Sequence, residues 1–446
     1  MRVSRRHILL GSLATMFAEP ARAQKNAPQG LDATQLGVRP NATTDQTQAL
    51  QRAIDRAAQA GQPLWLPAGT YRSGPITLRN GSQLTGVRGA TKITLTHGPS
   101  LITAQDTDAI TLSNLTIDGN NIALGRNGGL INLVKARQLR ITNCAVSNAN
   151  GNALGIVQSS GAITGNSISN SADNALYCLD NNALDISGNI IAKSGNGGIR
   201  IWQSSKRHDG SVVAGNTIED TEARAGGDGQ NGNAVNVFRA AGVTVRGNTI
   251  RRAAFTAVRG NSASHIQIIG NQCFELREVA IYSEFEFIDA TIADNLIDGT
   301  ALGIAVTNAD VGGRGAIVRN NIIRNITYKR PQGGPDSSQL GIGVEMDTQV
   351  IGNTVENAPN MGIEVGTGKF MNNCVVTGNI VRMTGIGIGV SVAEGAGSAT
   401  ISDNRIIDAK RGAILGMEWD KAVTGDLVGG GAGKFPKLKV SGNRTG

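Results

Sequence analysis

Val245-Arg246-Gly247-Asn248-Thr249-Ile250 decides the fold because the chain says it again and again. The same pattern, Ile/Val, any residue, Gly/Asp/Asn, Asn, any residue, then mostly Ile/Val, places its asparagine at Asn166, Asn189, Asn216, Asn248, Asn271, Asn295, Asn321, Asn353, Asn379, Asn404 and Asn443, eleven copies in all. Two variant copies precede them, around Asn114-Leu115 and Asn143-Cys144, with the asparagine one place earlier. Each period holds a further short strand of alternating character, as in Gly198-Ile199-Arg200-Ile201 or Gly303-Ile304-Ala305-Val306. Period-2 alternation is the mark of a strand. Strands this short, separated by Gly/Asn turns, bury nothing alone, so the copies must stack.

Stacking predicts an all-β, single-chain right-handed parallel β-helix, a solenoid of about 12–13 coils. The repeated asparagine is read as structural, an inward amide ladder bonding coil to coil. Cys144 and Cys273 take the place of stacked repeat residues and are expected in the core. With Cys178 and Cys374 they show no metal-binding spacing; a single disulfide stays open, because the expected destination is oxidising.

Working outward, the start reads Ser4-Arg5-Arg6-His7-Ile8-Leu9, then an apolar run and Ala21-Arg22-Ala23. That is an expected twin-arginine signal over 1–23, with a periplasmic or secreted product. The run is too short to span a membrane. Residues 24–75 read as an N-terminal cap, with a helix over 45–60 (Ala49, Leu50, Ala53, Ile54 and Ala57 share a face) and a first strand; 76–446 is the β-helix. The net charge of +8 partly belongs to the leader, and no Lys/Arg block stands out. Nucleic acid is therefore not an expected partner. A monomer is expected.

The cap residues Thr44 to Ile54 and the Leu66-Pro67-Ala68-Gly69-Thr70-Tyr71 strand resemble the opening of pectate-lyase-like β-helix proteins. The twin-arginine start with degenerate repeats resembles a family of twin-arginine-translocated repeat proteins. The resemblance implies the fold. It carries over no catalytic residue, since the polygalacturonase, alginate-epimerase and calcium-binding signatures are missing. No metal or other cofactor is expected, and calcium has no support in the sequence.

Aligning the second strands puts Tyr177, Arg200, Asn236, Arg259 and Tyr282 in one outward column, and Leu179, Trp202, Phe238, Asn261, Glu284, Thr307 and Glu345 in another. Aromatic residues make up 3% of the chain, yet several gather here. Tyr177, Arg200, Trp202, Asn236, Phe238, Arg239 and Asn261 are the expected substrate-binding set, rings stacking on sugar faces and guanidinium groups pairing with carboxylates. The expected partner is a polysaccharide, an acidic one. For chemistry, elimination would use Arg259 and Tyr282 (with Arg200), and hydrolysis would use Glu284 and Glu345, with Glu364 and Asp347 as neighbouring alternatives. The alternative is a non-catalytic envelope or matrix protein binding glycan or protein along the same face. Three insertions, Thr221–Asn233, Ile326–Gln339 and Ser204–Gly210 (with Lys206, Arg207 and His208), are expected to frame the face.

Overall fold

The computed structural model describes residues 30–125, 128–227, 229–329 and 339–446. The expected leader lies outside the described residues, as does most of the Ile326–Gln339 insertion. The rest is a right-handed parallel β-helix of about 13 turns.

Each coil contributes a strand to three parallel sheets. The first sheet has 16 strands, from Leu31–Asp32 to Leu438–Ser441. It stacks Ile163 on Ile186, Val213, Val245 and Ile268 in strict register. After the Gly-Asn turn, the second sheet stacks Ile168, Ile191, Ile218, Ile250 and Cys273. The third stacks Leu176, Ile199, Val235, Val258 and Ile281. These rows are buried and form one continuous core. Late strands such as Thr354–Val365 and Ile380–Ser391 run unbroken from the second sheet into the third.

The asparagine ladder has the geometry of an inward amide stack. Asn189 donates both its backbone N–H and its Nδ2 to Oδ1 of Asn216, at 2.9 and 3.0 Å, and its Nδ2 also donates to the Ile163 carbonyl at 2.8 Å. The same links run from Asn166 to Asn443. The residue before each asparagine is left-handed: Gly188 at φ 63°, Gly247 at 62°, and Asp294 at 59°. That conformation favours Gly, Asn and Asp. It explains the variant copies too, because Asn114 and Asn143 occupy this left-handed position (φ 57° and 53°) while Leu115 and Cys144 take the ladder place. All four cysteines are buried and unpaired.

Part of each end of the solenoid is covered by polypeptide that pairs with the exposed strand edge. The helix Thr47–Gln59 buries Leu50, Ala53, Ile54 and Ala57 over the first coil. From it, Gln51 Oε1 accepts from the Thr77 N–H at 2.8 Å while its Nε2 donates to the Thr77 carbonyl at 2.9 Å. A paired edge is no template for aggregation. At the other end Lys421–Asp426 pairs antiparallel with the last long strand, and the Asp426 carboxylate accepts from the Ala413 N–H at 2.7 Å.

Candidate functional site

The outer face of the third sheet is where the fold positions side chains that the core does not need. Tyr177 pairs in register with Arg200, Arg200 with Asn236, Asn236 with Arg259, and Arg259 with Tyr282. Two residues along, Leu179, Trp202, Phe238, Asn261, Glu284 and Thr307 form the second column. The strand period forces this arrangement, since the residues between them feed the core.

Within these columns the side chains divide by role. Tyr177, Trp202 and Phe238 are half-buried and form an edge-to-face ladder, with ring centroids 6.2 and 5.6 Å apart. Arg200 lies 5.0 Å from the Trp202 ring centre, and Arg239 4.7 Å from that of Phe238. The Trp202 Nε1–H donates to Asn236 Oδ1 at 3.0 Å, which fixes the indole. Burial pushes the Tyr177 hydroxyl pKa up, partly offset by Arg200.

Arg259 and Glu284 form a buried ion pair, with Nη2 2.6 Å from Oε1 and Nε donating to the same oxygen at 2.7 Å. Asn261 Nδ2 donates to that oxygen at 2.9 Å. Tyr282 stacks 4.9 Å from the Arg259 guanidinium and accepts from Thr307 Oγ1 at 3.3 Å. These two candidate catalytic residues thus already satisfy each other. Glu284 is 1% exposed.

The other carboxylates stand further along. Glu364 follows Gly343 in the first column, and Glu345 lies two residues beyond Gly343, so the pair occupies adjacent coils. Burial pushes the Glu364 carboxyl up to about 7, helped by Asp420 and Glu345 and opposed by a hydrogen bond from Thr367. Burial also pushes Glu345 up, with Asp310 adding to it, while the Ala309 N–H donates to its Oε2 at 3.1 Å. The reason is an outer apolar layer on this stretch of the face: Val279, Leu302, Ala305, Leu340, Met361, Ile386, Leu415 and Met417. A carboxyl in such surroundings keeps its proton longer. Beside it sits a second aromatic pair, Phe370 and Trp419, 6.4 Å apart, with Trp419 55% exposed. The sequence alignment of strands did not reach this pair, because Trp419 comes from the end hairpin.

Two of the insertions wall the face. The described residues of Thr221–Asn233, 221–227 and 229–233, fold over it: Asn231 Oδ1 accepts from Arg200 Nη2, and the Gly229 carbonyl accepts from Asn233 and Asn236 at 2.8 and 3.0 Å. Ser204–Gly210 lies along the opposite side, held by the buried Asp209, which accepts from Gln203 at 2.6 Å, and by Asp180, which accepts from the Ser204 N–H and Oγ–H at 2.7 Å each. Lys206 reaches Glu286 at 2.5 Å. His208 is exposed there, and His265 pairs with Asp289 at 3.4 Å, away from the columns. Behind the first wall is a cleft of about 1040 Å³ lined by Arg252, Phe255, Arg277, Tyr328 and Lys329 among others. No cluster of three or more metal-binding side chains occurs among the described residues.

The profile of the rhamnogalacturonase A/epimerase, pectate lyase-like family matches residues 31–258. The chain belongs to this family. Within the pectate lyase-like frame, the matched span runs from the cap to the middle of the third-sheet face, through Tyr177, Arg200 and Trp202. A second profile, the periplasmic copper-binding protein NosD, matches residues 220–423. No curated protein matches the chain. Among solved structures, the pre-mature gene product 12 of bacteriophage phi29 is similar with a TM-score of 0.55 and 13% identity, over 93% of this chain and 66% of that one. The catalytic unit of a GH87 α-1,3-glucanase from Streptomyces thermodiastaticus has a TM-score of 0.49 and 14% identity, over 97% and 70%. The A-module of the Azotobacter vinelandii mannuronan C-5 epimerase AlgE4 has 0.43 and 17%, over 92% and 100%. No helix of the described residues is long and apolar enough to cross a membrane.

Proposed function

We propose that this protein binds a polysaccharide along the outer face of the third sheet, and that it does so outside the cytoplasm after twin-arginine export. The observation that carries the reading is the ladder Tyr177, Trp202 and Phe238 on three successive coils, between two insertions. Ring faces in a walled trough suit the apolar faces of consecutive sugars. Arg239, exposed beside Phe238, supplies a cation for a uronate carboxylate, which makes an acidic polymer the favoured ligand. An array of polygalacturonate, rhamnogalacturonan and alginate fragments probed with the full chain tests this. Binding that Trp202→Ala reduces at least tenfold is expected; binding unaffected by Trp202→Ala would place the ligand elsewhere.

Hydrolysis is the reaction that the carboxyls favour, because Glu364 is held near a pKa of about 7 one coil from Glu345. Adjacent coils with a two-residue offset put their backbones roughly 8 Å apart. Side chains can reach the roughly 6.5–9.5 Å carboxyl separation of inverting hydrolysis from there. In that scheme Glu364 gives its proton to the glycosidic oxygen as the bond to the anomeric carbon breaks. Glu345 takes a proton from the water that forms the new bond. Elimination is less favoured because the charge of Arg259 is already matched by Glu284. New reducing ends from a bound polymer, lost in Glu364→Gln, are expected. Binding with no product would leave the non-catalytic role.

A further inference from the structure

The cleft behind the first wall is the middle of a longer groove. Three adjoining clefts, of about 550, 1040 and 330 Å³, run along the corner between the second and third sheets. The first shares Asp220 and Arg224 with the second, and the second shares Glu275 and Tyr328 with the third. Asn170, Lys193, Asp220, Arg252, Glu275 and Gly299 line it from one place on six successive coils. Five coil-to-coil steps make this floor roughly 24 Å long.

The floor is built from residues that its backbone disfavours. All six positions are left-handed, with Lys193 at φ 57°, Arg252 at 52° and Glu275 at 55°. The turn before the asparagine ladder has the same conformation and fills it with Gly, Asn or Asp, the residues that adopt it at least cost. Lys193, Arg252 and Glu275 gain nothing from the turn, and a strained position held by a long polar side chain points to a use for that side chain. All three are exposed to the groove. Their charges alternate along the axis with that of Asp220. Arg252 lies 2.6 Å from Asp220 and 3.8 Å from Glu275, and Arg224 lies 2.6 Å from Glu222 on the wall. The hydrogen bond from Arg252 holds the Asp220 carboxyl below its ordinary pKa against partial burial, and the charges of Arg252 and Lys193 add to it. Each carboxylate of the middle cleft is thus set against an arginine.

We propose that this groove binds a neutral glycan, as a track separate from the third-sheet face. The proposal goes beyond the third-sheet reading and does not depend on it. A sugar hydroxyl both donates and accepts, so it can lie between a guanidinium and a carboxylate and bond to each without bringing charge. A uronate would gain from Arg277 and Lys329, which also line the middle cleft, but would meet Asp220, Glu222 and Glu275 there. Phe255, half-buried, and Tyr328, 39% exposed, offer rings for sugar faces. The coil spacing is close to the length of one residue in an extended glycan, so successive sugars meet successive coils. An added peptide strand would find the backbone already spent coil to coil, with the Ala254 N–H on the Thr221 carbonyl and the Leu276 N–H on that of Gly299. Recognition falls to the side chains.

The test is calorimetric titration of glucan, galactan, mannan and xylan oligosaccharides into the full chain carrying Trp202→Ala, which removes the third-sheet ladder. At least one of these neutral probes should bind, and adding Arg252→Ala should weaken it at least tenfold. Tyr328→Ala, at an exposed side chain, gives the same reading should Arg252→Ala fail to fold. No binding by any neutral probe, or binding that both variants leave unchanged, would overturn the proposal. So would oligogalacturonate or a random peptide pool that binds better than every neutral probe and is lost in Arg252→Ala, since the groove would then be an acidic-sugar or a protein site. The two readings fail separately. Polyuronate binding untouched by Trp202→Ala removes the third-sheet reading alone, and loss of every ligand with Trp202→Ala removes the groove alone.

Discussion

The outer face of the third sheet is one register with two chemistries. At the position that opens each strand, the early coils carry Asn152, Asn174, Gly197 and Asn233, whereas the later ones carry Val279, Leu302, Leu340, Met361 and Ile386. The backbone is the same and all of these residues are buried. The early half is held by directed bonds, amide to amide, under a loop that supplies carbonyls, and the Arg259–Glu284 pair joins it to the first apolar coil. The late half is held by apolar packing, with Glu345 and Glu364 set into it. The difference shows where each half is vulnerable. A polar layer depends on directed bonds whose loss leaves buried donors and acceptors unmatched, whereas an apolar layer acts on whatever charge it surrounds by withholding solvent.

Breaking the polar half should have the largest effect on stability. Glu284→Ala leaves the Arg259 charge buried without its main partner, and a loss of about 3–5 kcal/mol is expected from chemical denaturation. A loss under about 1 kcal/mol would mean that the pair does not hold this half together. In the apolar half, Met361→Ala should cost about 2–3 kcal/mol through lost burial and a partly unfilled space. If it costs as little as a surface change, the outer layer is not a packed one.

The pH response separates the halves more finely. Glu364 has a pKa raised from 4.5 to about 7 in the folded chain. The folded state therefore holds more protons than the unfolded one between these values. The contribution of Glu364 to stability should be greatest below about pH 4.5, decline as pH rises through the window to about 7, and then level off. Glu364→Gln, which stays neutral, should lack this decline and be more stable than the wild type at pH 8. Equal pH profiles would refute the buried-carboxyl description. The smallest stability change belongs to Arg239→Ala: within about 0.5 kcal/mol, because the side chain is exposed. Its effect should be a severalfold weaker affinity for polygalacturonate at low salt that fades at high salt.

The coil, its sheets and its asparagine ladder were legible in the sequence because stacking demands the same residue at the same place in every copy. Val245, Asn248 and Ile250 each recur for a reason that acts on every coil: inward packing, a coil-to-coil amide bond, a left-handed turn. The strand alignment likewise placed Tyr177, Arg200, Asn236, Arg259 and Tyr282 in one column, since a period of two admits no other phase once the inward residues are known. What the alignment could not supply was pairing. Arg259 and Glu284 read as two separate candidates for chemistry, and the structure shows them bonded to each other.

Glu364 read only as a neighbouring alternative for hydrolysis, because the apolar layer of this stretch is assembled from side chains of separate coils. Repetition is a local property, so the sequence by itself determined the solenoid, its core rows and the face that points outward. The state of each group on that face depends on the loops and coils folded against it, and those contacts exist only in three dimensions.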